Sequence, residues 1–246
     1  MSKITGGKKE GVPLNDAEKQ LRYLSSQIIA AQEIERKRIS RELHDELGQA
    51  LSLIKLRIRF IKKNLRDDQK LIKQECEDTL QFIDQVIENV RRLSIDLSPT
   101  VLDDLGITAA IRWLINNLRA SNNKLNVAYK IINIDPFFSQ NAQINIYRII
   151  QEVLTNIVEH AQAKNVSINV KKQGNTISFI IEDDGIGFDI KEAMTKISIE
   201  RGLGLASMEE RVQMLGGDFK LRSKEGKGTQ VKFQIPFKEK GSHEYL

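Results

Sequence analysis

The feature that most constrains this chain is an apolar stripe stepping by three and four residues from Leu21 to Leu97. Leu21, Leu24, Ile28 and Ala31 begin it, and Ile39, Leu43, Leu47, Ala50, Ile54, Ile58, Ile61 and Leu65 continue it. Ile72, Cys76, Leu80, Ile83, Ile87, Val90, Ser94 and Leu97 close it. At about 100° per residue, such steps return to one face of an α-helix. Asn64 to Asp68 interrupts the stripe with polar residues, and Ser98-Pro99 ends it, since a residue before proline is steered out of helical geometry. The pattern predicts a very long helix, a short turn and a second helix folded back as an antiparallel hairpin. A lone hairpin covers only one side of each stripe, so the expected form is a dimeric four-helix bundle made of two hairpins. The alternative is a hairpin lying on the rest of its own chain. Asn15 with Glu18 fits a capping box at the helix start. Residues 1–14, rich in glycine and lysine and without period, read as a disordered tail.

Within the hairpin the run Glu35 to Gln49 is dense in charge and contains His44, one of three histidines. His44 falls at the edge of the stripe, with Asp45 beside it, and Asp45 and Gln49 are spaced to share a face. Gly48 lies one turn beyond His44. Glycine inside a helix costs about 1 kcal/mol relative to alanine, and its lack of a side chain suggests open access to the imidazole.

Charge and cysteine content narrow the setting. The 38 basic and 33 acidic residues are interspersed, so the net charge of +5 does not point to nucleic acid. The single cysteine, Cys76, cannot form an internal disulfide, which favours a reducing, cytoplasmic location, and its spacing from Ile72 and Leu80 reads as a small core residue. No apolar run approaches the roughly 18 residues of a membrane span, and the N-terminus lacks a signal-peptide core. A sensor or membrane region is expected, if anywhere, N-terminal to this stretch in a longer protein.

After Pro99 the texture changes. Asp103-Asp104-Leu105-Gly106 leads into a helix through Ile111, Trp113, Leu114, Ile115 and Leu118, and Leu125 to Ile132 partly alternates as a strand does. Asp135-Pro136 and Ser139 mark the start of a helix from about Ala142 to Ala161. Strands are predicted near Val166–Lys172, Thr176–Glu182, Phe219–Ser223 and Gln230–Pro236, with a helix from about Leu203 to Leu215. Late strands running as hairpins between helices give an α/β sandwich of the α+β kind. The expected organisation is a helical hairpin at 15–98, a hinge at 99–106, a second domain at 107–238 and a tail at 239–246.

Three signals in that second domain bear on chemistry. Glu152 and Asn156 share a helical face and are hard ligands of the kind magnesium takes when phosphate supplies the rest. By themselves they read first as the wet face of a helix. Asp183-Asp184-Gly185-Ile186-Gly187-Phe188 follows an apolar strand, so an acid at the strand end could accept a hydrogen bond from an exocyclic amine while glycines let the backbone approach a flat ligand. The plain alternative is a tight turn. Arg201-Gly202-Leu203-Gly204-Leu205 opens a helix, where free N–H groups attract phosphate, but its spacing is neither a Walker A loop nor a dinucleotide fingerprint. Gly226-Lys227-Gly228-Thr229 fits a hairpin connection.

Taken in order, these boxes resemble the ATP-binding motifs of the GHKL ATPase superfamily. The upstream run Ile34 to Gln49 looks like the dimerisation and phosphoacceptor motif of two-component sensor histidine kinases. His-Asp-x-x-x-Gln, the joint Leu97-Ser98-Pro99-x-x-Leu102-Asp103-Asp104-Leu105-Gly106 and Gln151-Glu152-x-Leu154-x-Asn156 resemble the subfamily that partners NarL-type response regulators. The resemblance covers about residues 30 to 237.

It implies a homodimeric kinase core that uses ATP and Mg2+ to phosphorylate His44 and passes the phosphoryl group to an aspartate of a response regulator. In that reading Asp45 activates the imidazole and Gln49 positions a water for regulator dephosphorylation. Asn156 and Glu152 serve the metal, and Asp183 reads adenine, backed by Thr229. Gly185, Gly187, Gly202 and Gly204 shape the pocket with Arg201, and Phe188 to Arg201 forms a lid. Glu159 departs from the pattern, since relatives often carry lysine there; either Arg148, Arg201 or Lys164 supplies the missing cation, or nucleotide binding is weaker. His160 is expected to be structural. The alternatives are a regulator phosphatase with weak kinase activity, or a non-catalytic basic coiled-coil module.

Overall fold

The computed structural model describes residues 16–122, 124–190 and 199–237. The two tails and the capping box at Asn15 therefore lie outside the described residues. Helix α1 runs Asp16–Glu42, gives way to a π-helical turn at Leu43–Leu47, and resumes as α2, Gly48–Asn64. The Gly48 N–H reaches back to the Leu43 carbonyl, one residue further than an α-helix allows, so the helix continues with its faces rotated at His44.

Helix α3, Lys70–Leu97, returns alongside. Ser40 meets Ser94, Lys55 meets Asp84 and Lys62 meets Glu77, one number rising as the other falls, which defines an antiparallel hairpin. Ser40 Oγ donates to the Ser94 carbonyl at 2.8 Å, and Ser94 Oγ donates to the Ser40 carbonyl at 3.0 Å. Two buried serines thus hold α1 and α3 together one turn before His44. The expected stripe is corrected in α1, where Ile29 is buried at 7% exposure while Ile28 is exposed at 58%. Helix α1 packs against a helix of the second half as well as α3, so its covered side is not the one the hairpin alone would select. Cys76 is half-buried rather than a core residue. Leu47, Ile54, Ile61 and Ile72 of the stripe remain exposed in the single chain.

Past Pro99 the chain is helical again. Helix α4 spans Thr100–Ser121, and only Gly106, at φ 81° and ψ 175°, leaves helical geometry. Where a hinge from 99 to 106 was expected, Ser98 and Pro99 are extended before α4 and Gly106 breaks it, with helical residues between. A side chain at Gly106 would strike Asp135, whose Oδ1 instead accepts from the Thr108 N–H at 3.3 Å and caps the resumed helix.

The sheet has five strands, β1 (Asn126–Ile131), β2 (Asn165–Gln173), β3 (Thr176–Asp183), β4 (Asp218–Ser223) and β5 (Thr229–Pro236), in the order β1-β2-β3-β5-β4. Only β1 and β2 are parallel, and a parallel pair needs a crossover. Helix α5, Gln140–Asn156, supplies it, capped by Ser139 and followed by a second π-helical turn at Ile157–Ala161. Helix α6, Ile199–Met214, precedes the β4–β5 hairpin. Ile111 and Ile115 of α4, Ile146, Ile150 and Val153 of α5, and Val212 of α6 join the inward residues of the sheet in one core. There Phe179 and Phe233 stack with ring centroids 4.4 Å apart. Helices on one sheet face make the expected α/β sandwich. Among the described residues no helix is long and apolar enough to cross a membrane.

Candidate active site

The end of α5, the π turn after it and the facing ends of β3 and β5 enclose a pocket of about 180 Å³. Val153, Ile157, Ile181, Met208 and Val231 make it apolar, and Asn156, His160, Asp183 and Thr229 are its polar lining. An apolar slot with a few fixed polar groups suits a flat heteroaromatic ligand.

Asp183 is the one carboxylate in that lining. Burial raises its carboxyl above the ordinary carboxylate range, and hydrogen bonds from the Gly185 and Thr229 N–H groups partly offset the rise. Thr229 sits directly opposite it on the β3–β5 ladder, with Oγ1 2.9 Å from Ser223 Oγ. Asp184 behaves differently. It accepts from the Lys164 and Asn165 N–H groups, each at 2.8 Å, and from Asn165 Nδ2 at 2.7 Å. These bonds, Asn165's first, hold it below the usual range, and it fastens the start of β2 to the end of β3.

The glycines serve close packing. A side chain on Gly185 would lie 2.2 Å from the Ala161 carbonyl, and one on Gly187, at φ 58°, 2.1 Å from the Lys224 carbonyl. One on Gly204 would lie 2.1 Å from Glu152 Oε1. Helix α6 therefore approaches α5 directly over Glu152. Asn156 donates Nδ2 to Glu152 Oε1 at 3.4 Å, so Oδ1 is the atom through which Asn156 could meet a cation. Among the described residues no cluster of three His, Cys, Asp or Glu side chains is placed to hold a metal. Glu152 and Asn156 can thus be only part of a ligand set, which fits a cation that arrives with phosphate oxygens. Arg201 and Gly202 fall in the first turn of α6, whose side chains lie outside the description, as does residues 191–198 of the expected lid.

The lysine missing at Glu159 is not replaced by Arg148. That arginine is buried and bonded to Glu33 on α1. Glu159 itself is exposed, 3.8 Å from His160 Nε2.

A second opening, of about 600 Å³, lies along the hairpin. His44, Asp45, Gly48 and Gln49 line it with Ile87, Val90 and Arg91 of α3. An added side chain on Gly48 would meet nothing within 4 Å, so the groove is open beside the imidazole. None of the residues of the apolar slot lines it.

Sequence reasoning missed the two π turns, which no periodicity marks, and the buried arginines Arg148 and Arg211. Arg148 did leave a trace, a charge inside the apolar run Ile146-Tyr147-Arg148-Ile149-Ile150.

A sandwich with a carboxylate-floored apolar slot, joined to a helical hairpin with an open histidine, has the form of a nucleotide-binding domain attached to a helical hairpin domain. Residues 141–239 match the family described as histidine kinase-, DNA gyrase B- and HSP90-like ATPase, and residues 35–102 match the histidine kinase family. The chain is 32% identical over 237 residues to the signal transduction histidine-protein kinase/phosphatase DegS of Brevibacillus brevis, covering 95% of this chain and 59% of that protein. It is also 32% identical over 218 residues to DegS of Bacillus subtilis (strain 168), covering 85% of this chain and 54% of that protein. The chain thus spans little more than half the length of these relatives. The histidine kinase domain of the Erythrobacter litoralis blue-light activated histidine kinase shares the fold, with a TM-score of 0.50 at 17% identity over 77% of this chain and 94% of that one. The chain belongs to the histidine kinases, with a domain of the histidine kinase-, DNA gyrase B- and HSP90-like ATPase family in its second half.

Proposed function

We propose that the chain is the catalytic core of a sensor histidine kinase that phosphorylates His44 from ATP, passes the group to an aspartate of a NarL-type response regulator, and also dephosphorylates that regulator. The observation that carries this reading is the grouping of His44, Asp45 and Gln49 in one open groove of a chain whose other half holds Asp183, Asn156 and Thr229 around a separate slot.

Asp183 accepts from the adenine amine, and its position at the strand end orients the base with the phosphates toward Asn156. A ring nitrogen of His44 attacks the γ-phosphorus; an N–P bond forms, the bond to the bridging oxygen breaks, and ADP leaves. Asp45 takes the imidazole proton, a role worth about 10²–10⁴ in rate. Asn156 and Glu152 would hold Mg2+, which would supply charge neutralisation at the phosphates. Gln49 holds a water for attack on the regulator's acyl phosphate. The two protein DegS relatives carry both activities in their names.

The exposed apolar side chains Leu53, Ile54, Phe60, Ile61 and Phe82 favour a homodimer through the hairpin. Incubation with γ-labelled ATP and Mg2+ tests the reading. Acid-labile, base-stable label that disappears in His44→Gln supports it. No label, with regulator dephosphorylation intact, would leave a phosphatase; loss of both activities with tight, salt-sensitive DNA binding would leave a binding module.

A further inference from the structure

Glu33 lies on α1, three helical turns before His44, and faces the nucleotide-binding half. Arg148 of α5 grips its carboxylate, with Nε 3.2 and 3.1 Å from the two oxygens and Nη2 2.6 Å from Oε1. The same guanidinium donates to the Asp96 carbonyl at 3.0 Å, to Gln151 Oε1 at 2.8 Å and to the Leu97 carbonyl. It therefore also closes the end of α3, where the last carbonyls lack intrahelical partners. Arg211 of α6 approaches from the other side, its Nη2 4.0 Å from Glu33 Oε2 and its Nη1 2.8 Å from Asn145 Oδ1.

Both arginines are buried, Arg148 at 4% exposure and Arg211 at 5%. Surface ion pairs are incidental by default. A carboxylate shared by two buried guanidiniums is different, because removing it leaves charges that water cannot easily reach. The elements involved matter as much. Helix α5 carries Glu152 and Asn156 beyond Arg148, and α6 carries Gly204 against Glu152. One carboxylate on α1 thus touches both helices that build the nucleotide pocket. Arg148 in turn spans α1 and the end of α3, so a twist of one helix against the other would pull its acceptors apart.

We propose that Glu33 is an interdomain clamp that holds the nucleotide-binding half in a resting position, with its pocket apart from the His44 groove, and that its release precedes phosphoryl transfer. This inference rests on the kinase reading for its second clause only. Glu33 touches no part of the groove or the pocket, and so acts through Arg148 and Arg211 as a positioning residue.

The test uses the full chain with Glu33→Gln, and Glu33→Asp as a milder variant that keeps the charge. Three quantities are measured: initial label uptake from γ-labelled ATP, nucleotide affinity by titration, and radius of gyration by small-angle X-ray scattering. Glu33→Gln is expected to raise uptake several-fold and enlarge the radius with nucleotide affinity unchanged, and Glu33→Asp to fall between it and the natural protein. Unchanged radius and uptake overturn the clamp, as does a fall in uptake with intact affinity, which would make the contact productive. A larger radius with no label in any of the proteins supports the clamp while overturning the kinase reading. If Glu33→Gln fails to fold, the order of Glu33→Asp against the natural protein decides the same question.

Discussion

Asp183 and Asp184 are adjacent in the chain but do opposite jobs: Asp183 lines the apolar slot proposed for the nucleotide, and Asp184 is tied to the first residues of β2. Asp183→Asn should therefore leave the fold intact and weaken nucleotide binding. A hydrogen bond to a charged group is worth about 1.5–3 kcal/mol, so the dissociation constant should rise about tenfold to a hundredfold. Asp184→Ala should do the reverse, lowering the melting temperature with nucleotide affinity nearly kept. Calorimetric titration and thermal melts of both variants check the pair, and equal loss of affinity in the two would remove the distinction.

Burial raises the Asp183 carboxyl above its unfolded value, which sets two pH dependences of opposite sign. The folded protein binds that proton more tightly than the unfolded chain, so Asp183 contributes stability at low pH that is lost as pH rises through the raised value. Binding runs the other way, because the adenine amine prefers the charged acceptor. Adenosine affinity should therefore decline on acidification with a midpoint above the ordinary carboxylate value of about 3.9, and Asp183→Asn should abolish that limb. Adenosine keeps phosphate ionisation out of the titration. A natural-protein affinity that stays flat down to about pH 4 contradicts the assignment.

Two glycines should respond to alanine with opposite signs. An added methyl at Gly48 meets nothing within 4 Å, and helical alanine restricts the unfolded chain, so Gly48→Ala should gain about 0.5–1 kcal/mol. At Gly187, φ is 58° and the methyl would sit 2.1 Å from the Lys224 carbonyl. Left-handed strain and overpacking together should cost about 2–4 kcal/mol. Urea unfolding of the two variants measures both. If Gly48→Ala keeps full His44 labelling, the open wall of the groove is not needed for access by the nucleotide.

What could be read from the sequence follows the range of the interactions involved. The hairpin and the strand pattern were legible because periodicity is local: Leu80 and Ile83, or Ile177, Phe179 and Ile181, declare their face through near neighbours. The order of the boxes around Asn156, Asp183 and Gly204 was legible as a resemblance. The pairing of β1 with β2 was not, since Val127 and Val166 are joined only by the fold. Nor was the Glu33–Arg148 contact, across 115 residues, so Arg148 stands in the sequence as one of three candidates, with Arg201 and Lys164, for the missing cation. Ile28 was chosen over Ile29 because the stripe was fitted to one partner helix while α1 has two. The π turn at His44 leaves no mark in composition at all.

Ser40 and Ser94 offer the sharpest test of how the histidine is held. Each hydroxyl donates to the other's main-chain carbonyl, both side chains are buried, and α1 and α3 touch there one turn before His44. Ser40→Ala or Ser94→Ala alone should cost about 0.5–1.5 kcal/mol, the net worth of a hydrogen bond. The double variant should cost less than the sum, because neither hydroxyl then remains to be satisfied and the small volumes still allow close approach. A coupling of about 0.5 kcal/mol or more in a double-mutant cycle is expected. Strict additivity would mean the two hydroxyls act independently of each other. Ser40→Val should cost about 1–3 kcal/mol by overpacking and, by forcing α1 from α3, should also reduce His44 labelling. Unfolded fraction by urea titration and label uptake at a denaturant-free folded fraction separate the two effects, and labelling that survives Ser40→Val would show that the His44 groove does not depend on the tight crossing beneath it.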